Sequence, residues 1–176
     1  MTVSRLNALL RPSGEFGAYQ WQISTWSQLG KGASLVRNAV FVEEQNVPEE
    51  LEYDEHDLVA VHILVSTKEG EPVATARLVK KERGISVLGR MAVVVEHRGE
   101  GIARFVLSEL LRFARRRHDV TVMLHAQSHA VGFYRKMGFK IEGKPFLEAS
   151  ISHMKMVTDV TCNEFASSQF VDSQTI

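Results

Sequence analysis

The 176-residue chain is 44% hydrophobic and 24% charged, proportions that suit one globular domain and exclude disordered, collagen-like and coiled-coil chains. Lys+Arg and Asp+Glu both number 21, and a formal net charge of zero argues against a dedicated nucleic-acid binder, which is strongly basic. The single cysteine, Cys162, excludes an internal disulfide and a Cys-based zinc site and points to a reducing compartment.

Residues 1–18 read as an N-terminal extension. Its apolar residues Leu6, Ala8, Leu9 and Leu10, followed by Arg11-Pro12, are too few for a secretory segment. Residues 19–25 alternate aromatic and polar side chains and predict a strand. Residues 29–45 place Leu35, Val36, Ala39, Val40 and Val42 at helical spacing. Val47-Pro48 ends that helix, because the residue before proline is pushed out of the helical region. Residues 58–66 and 72–80, joined by Lys68-Glu69-Gly70-Glu71, predict an antiparallel pair, and residues 85–95 a third apolar run. Residues 101–118 carry Ile102, Phe105, Val106, Leu110 and Phe113 on one broad face, the clearest amphipathic helix in the chain. A strand at 121–125, a short helix at 130–137 closed by Gly138, and strands at 139–142 and 151–157 follow. Residues 159–176 are a polar tail. No run approaches the ~18 apolar residues of a membrane span, so a cytoplasmic protein without a membrane partner is expected. The pattern is α+β: a mainly antiparallel sheet carrying a few helices, one domain over 19–158.

The neutral total hides segregation. Residues 43–57 hold eight acids and no Lys or Arg, whereas residues 98–117 hold six arginines against Glu100 and Glu109. An acidic segment suits a cationic ligand and a basic one an anionic ligand; two solvated faces are the plainer reading. The triplet Arg115-Arg116-Arg117 at its helix end answers the helix dipole better than a nucleic acid.

The junction Val93-Val94-Val95-Glu96-His97-Arg98-Gly99-Glu100-Gly101-Ile102-Ala103-Arg104 runs from a strand through glycines into the long helix. Such a turn aims backbone N–H groups and a helix N-terminus at one spot, a phosphate cradle that Arg98 and Arg104 would supplement. It is neither a P-loop, since no Gly-Lys-Ser/Thr follows, nor a dinucleotide fingerprint, since Arg104 stands at the third glycine. An ordinary strand-to-helix turn stays open on this motif alone. His125 and His129 are four apart, but His125 falls at a strand end, so no metal is expected.

Residues 126–139 add Ala130, Phe133, Tyr134, Lys136, Gly138 and Phe139. With Arg98, Gly101 and Ala103 they resemble, in order and separation, the two signatures of the GNAT acetyltransferase superfamily. A narrower resemblance, to its ElaA-like subgroup, lies at 40–45, 54–57 and 146–156. A distant likeness to acyl-homoserine-lactone synthases rests on Arg37, Phe41, Asp54, Asp57, Arg77 and Leu78, without the tryptophan those enzymes carry after the Phe block. The resemblance implies a three-layer acyl-CoA N-acyltransferase fold. It implies acetyl-CoA as co-substrate, no metal, and a primary amine of a small molecule as acceptor, acetylated directly in a ternary complex. A homodimer is compatible with it. The coenzyme would lie on Arg98, Gly99, Glu100, Gly101, Ile102, Ala103 and Arg104, with Phe133 beside them. Gln127 stands where many members carry an Asn and would make a longer contact. Met91, Ala92 and Val93, splayed by a bulge, would polarise the carbonyl.

Chemistry then asks for two proton carriers. An alkyl amine with a reference pKa of about 10.4 is mostly protonated at neutral pH, so something must take its proton. Glu44 can do so through water; Asp54 and Asp57 are expected beside the acceptor, and His153 as a base or substrate contact there, with a satisfied structural histidine as its plainer reading. Tyr134 is the residue from which the resemblance implies a proton donor to sulfur. Cys162 falls past the last strand, which disfavours an acetyl-cysteine. A non-catalytic acyl-CoA sensor, or an enzyme for longer acyl donors, are the rival readings.

Overall fold

The computed structural model describes residues 12–82 and 84–167. The apolar stretch before Pro12 and the tail beyond residue 167 lie outside them. Among the described residues nine strands form one sheet: β1 (Ser13–Phe16), β2 (Tyr19–Thr25), β3 (Val61–Thr67), β4 (Pro72–Lys80), β5 (Ile85–Val93), β6 (Thr121–Gln127), β7 (Lys140–Ile141), β8 (Phe146–Glu148) and β9 (Ile151–Asp159). Their order is β1-β2-β3-β4-β5-β6-β9-β7, with β8 also on β9, and every pairing is antiparallel except β5 with β6.

Helices cover both faces, so the fold is α+β with a mostly antiparallel sheet flanked by helices. α1 (Trp26–Arg37) packs on one face, where a Cβ at Gly32 would come within 2.6 Å of Leu64. Ile63 and Val65, the alternate residues of β3, turn to the other face. There they meet Ile102, Val106, Leu107, Leu110 and Leu111 of α4 (Ile102–Arg116), all at most 1% exposed. Burying a leucine-sized side chain contributes roughly 1.5–3 kcal/mol, so this stripe is a large part of what holds α4 on the sheet. The remaining helices are short: α2 (Glu49–Glu52), α3 (His56–Val59), α5 (Val131–Lys136) and α6 (Glu164–Ser167).

Three elements depart from the sequence pattern. The helix expected to Gln45 is α-helical only to Arg37, then widens into a π-helical segment, Asn38–Glu44, with Gln45 N–H on the Val40 carbonyl at 3.2 Å. The strand expected from Leu58 starts at Val61, because Asp54 Oδ1 accepts the His56 N–H (3.0 Å) and opens the turn that becomes α3. β1, within the stretch read as an extension, pairs with β2 through a turn at Gly17, φ 56°.

The acidic segment is largely answered by arginines from other elements. Asp57 Oδ1 accepts from Arg37 Nη1 and from Arg77 Nη1, both at 2.8 Å. Asp54 takes Arg77 in a fork, 2.6 and 2.7 Å. Glu52 pairs with Arg37 Nε, and its Oε2 lies 3.1 Å from Arg90 Nε. Arg37 also lies against the Trp26 and Tyr53 rings, 5.3 and 5.0 Å from their centroids. The Arg77 bond holds the Asp54 carboxyl down at about 2. Burial alone would raise Asp57, but bonds from Arg37 and Arg77 keep it below the ordinary range.

Removing one member strands the others, which for a buried pair costs roughly 3–5 kcal/mol. Asp57→Asn should lower stability by about that much in urea denaturation. Because Asp54 binds its proton less tightly folded than unfolded, its stabilisation is present above pH ~4 and disappears as pH falls toward 2. Thermal melts across that window should drop more steeply for the wild type than for Asp54→Asn.

Candidate active site

β5 and β6 pair only from Ile85 to Leu88 and from Thr121 to Leu124. Beyond, β5 bulges: the β4 pairings step from Arg77 with Gly89 to Thr75 with Ala92, so Arg90 and Met91 share the place of Ala76. This is just ahead of the position expected near Met91-Ala92-Val93. Arg90 takes φ 53°, uncommon for a non-glycine residue, and its Nε reaches the Glu52 carbonyl at 2.9 Å. The strands part, leaving a wedge between residues 89–93 and 125–127.

Tyr134 of α5 stands in one wall of the wedge, its Oη 3.6 Å from Met91 Sδ. Phe133 and Phe139 meet its ring edge-on, with centroids 5.1 and 5.8 Å away. Burial pushes the phenol up to about 12, so it holds its proton throughout the neutral range. Ala92 is buried with Val36 and Val40, seating the π-helical segment on β5, while Met91 and Val93 are half-buried.

Past β5 the chain makes a 3-10 turn, Val95–His97, and enters α4 through Gly99 (φ 86°) and Gly101 (φ 81°). Only glycine holds these angles without strain. No side chain caps α4, so the first-turn N–H groups of Ile102, Ala103 and Arg104 face outward without helical acceptors. A Cβ at Gly99 would meet nothing within 4 Å. An open approach, uncapped donors and a positive helix end fit a pyrophosphate. Ile102 is buried and anchors the helix start; Arg104 lies over Phe165, 5.1 Å from its centroid.

Arg98 is placed differently from the expectation of a phosphate clamp. Its Nε donates to the Val93 carbonyl (2.9 Å), and its Nη1 and Nη2 fork onto Glu44 at 3.0 and 2.5 Å. That fork lowers the Glu44 carboxyl below its usual range. The next residue, Gln45, accepts from Gln127 Nε2 at 2.9 Å. The end of the π-helical segment is therefore tied through Arg98 to the end of β5, and the adjoining Gln45 is tied to the end of β6. Nothing in the helical periodicity signalled these ties. His153 pairs with Gln127 in register, bonds its Nδ1 to the Ile151 carbonyl (2.8 Å) and stacks on Phe146 at 6.0 Å. It is on the same face of the sheet as Gln127. Asp57 is only 3% exposed and committed, like Asp54, to the arginine network rather than to the open cleft. Arg37 and Arg77, grouped with Asp54 and Asp57 in the sequence only by a distant resemblance, are thus the partners of that segment together with Arg90, which the sequence reading did not connect to it; a charged residue inside an apolar run was the available signal.

Among the described residues no cluster of three or more His, Cys, Asp or Glu is placed to hold a metal, and no helix is long and apolar enough to cross a membrane.

Comparison with known proteins agrees with this architecture. Residues 26–160 match the model of the acetyltransferase (GNAT) domain. The uncharacterized N-acetyltransferase YjcF of Bacillus subtilis is 38% identical over 130 residues, covering 73% of this chain and 91% of YjcF. The protein ElaA of Escherichia coli is 35% identical over 71% of this chain and 84% of its own. The ElaA crystal structure superposes with a TM-score of 0.73 over 80% of this chain and 99% of that one. An acyl-CoA N-acyltransferase from Pseudomonas aeruginosa, 29% identical, gives the same TM-score and the same coverages. The chain belongs to the GNAT acetyltransferase family, whose acyl-CoA N-acyltransferases draw their acyl group from coenzyme A thioesters.

Proposed function

We propose that this protein transfers acetyl from acetyl-CoA to the primary amine of a small, cationic molecule, directly within a ternary complex in the cytoplasm. The observation that carries the reading is the parting of β5 and β6, with the Tyr134 hydroxyl against the bulge and the uncapped α4 N-terminus at the strand's end. A bound thioester would supply the electrophilic carbonyl. Backbone N–H groups released from the ladder beyond the bulge polarise its oxygen. The amine nitrogen forms the new C–N bond as the C–S bond breaks. Its proton leaves by water toward Glu44, and Tyr134 Oη gives a proton to the departing sulfur. Glu44 is a weak base while Arg98 holds it and its charge is largely balanced there, so it takes part, as base and as a charge that orients a cation, when that exposed pair opens. Exposed Glu49, Glu50 and Glu55 add to that field. Gln127, Phe133 and the loop from Arg98 to Arg104 hold the coenzyme; His153 lines the acceptor side.

The Glu44–Arg98 pair also favours one rival, a sensor that binds acyl-CoA without turnover, because it occupies the best base. A panel of amines with acetyl-CoA, read by free-thiol release, separates the two: a catalyst releases thiol only with an acceptor, a sensor never.

Tyr134→Phe keeps the ring and its packing. Its kcat should fall by about 10²–10⁴, the usual worth of a general acid, with coenzyme A affinity nearly intact. A drop of less than a few-fold with chemistry rate-limiting removes Tyr134 from the reaction.

Glu44→Gln should reduce kcat/KM for cationic amines, most at low pH where the amine is protonated, while its coenzyme A affinity changes little. Superimposable pH–rate profiles would end the role of Glu44.

Gly101→Val forces a β-branched residue into a left-handed conformation, a cost of roughly 1–2 kcal/mol and therefore about tenfold in binding if the loop distorts instead. Calorimetry with coenzyme A should show that loss. Unchanged affinity would move the pyrophosphate elsewhere.

A further inference from the structure

Glu100 puts a carboxylate in the middle of the loop that, on the function proposed above, receives a pyrophosphate. An unrestrained carboxylate there would repel the anion and compete for the same backbone donors. The structure shows what restrains it. Tyr19, on β2 and 7% exposed, donates its hydroxyl to Glu100 Oε2 at 2.5 Å and lies 2.8 Å from His97 Nδ1. A phenol has one hydrogen. With that hydrogen on Glu100, the His97 contact is closed by an Nδ1–H donated to the Tyr19 oxygen. One hydroxyl thereby fastens both ends of the segment from His97 to Glu100 to a strand of the core.

The surroundings brace the same segment. The Tyr19 ring meets the His97 ring edge-on at 5.6 Å. Phe16, just before the β1–β2 turn, stacks on Phe105 of α4 at 4.3 Å. Its Cζ lies 3.9 Å from where a Gly101 Cβ would be. Trp21 meets the same Phe105 at 5.6 Å. The β1–β2 hairpin therefore supports the loop and the start of α4 from the side of the core.

We propose that Tyr19 is a positioning residue for coenzyme A: it ties the Glu100 carboxylate to β2 and so keeps the backbone donors of the loop from His97 to Gly101 available to the pyrophosphate. Tyr19 acts through Glu100 and touches no reacting atom. Its phenol, pushed up to about 12 chiefly by burial, remains a donor at every working pH.

Tyr19→Phe keeps the ring and removes the fastening. Binding of free coenzyme A, measured by calorimetry at low salt, should weaken about tenfold, the scale of one hydrogen bond to a charged group. The deficit should shrink at high salt, where repulsion by a released carboxylate is screened. Adding Glu100→Gln to Tyr19→Phe should restore affinity to within a few-fold of the wild type, because the released group no longer carries charge. A purely structural role would lower the melting temperature of both variants and leave the double variant as weak as the single one. That result overturns the proposal, as does an unchanged affinity in Tyr19→Phe. If the wild type itself fails to bind coenzyme A, the functional reading of the whole cleft falls, and the role of Tyr19 falls with it.

Discussion

The loss of pairing between β5 and β6 after Leu88 and Leu124 is the constraint on which the rest of the site depends. A parallel ladder is bonded evenly along its length, so it stops only where something removes a strand from the plane. Here the bulge at Arg90 and Met91 does so, and the bulge is held from behind. Arg90 bonds to the Glu52 and Leu51 carbonyls, and Glu52 in turn bonds Arg37. Behind the opening the bulge is thus joined to a buried ion network. Behind the parting strands α4 continues the hydrophobic core without interruption, so the wedge costs the domain no packing on that face.

That network changes the meaning of the charge pattern. Eight acids in fifteen residues look, along the chain, like an uncompensated field. In space Glu52, Asp54 and Asp57 meet Arg37, Arg77 and Arg90. The arginine-rich stretch is answered too: Arg98 by Glu44, Arg112 by Glu109, Arg117 by Asp119. Charges distant in sequence were brought together by strand order, which local composition does not encode. Buried pairs of this kind bring little net stability over apolar packing, but they penalise every arrangement that leaves one member alone. One of them, Arg90 with Glu52, joins the bulge to the network.

What was legible in the sequence follows the same division. α4, β4 and β5 could be read because their apolar periodicity is long and satisfied within each element. The glycines at 99 and 101 could be read because a left-handed backbone admits few other residues. The π-helical widening, the turn of α3 and the bonds of Glu44 and Gln45 could not. Each depends on a partner more than fifty residues away or on a local hydrogen bond that competes with the helical pattern. Tyr134 was marked by its motif, yet its depth and its approach to Met91 come from how α5 folds back on the open strands. β1 was missed since a four-residue edge strand offers no periodicity to read.

The resolved contacts also locate where an anion would find its attraction. Arg98 is forked onto Glu44, Arg104 lies on Phe165, and Glu100 is fastened to Tyr19. Side-chain charge at the cleft is therefore largely spent on internal partners. The groups left facing outward are backbone N–H donors at the start of α4, reinforced by the partial positive charge of a fifteen-residue helix. Backbone donors cannot swing away, and they lose no side-chain entropy on binding. On the proposed reading, the fold meets a polyanion with fixed dipoles while its mobile charges hold the frame. The same division leaves the exposed Glu44–Arg98 pair, worth no more than about 1 kcal/mol at such a surface, as a weak restraint across the wedge.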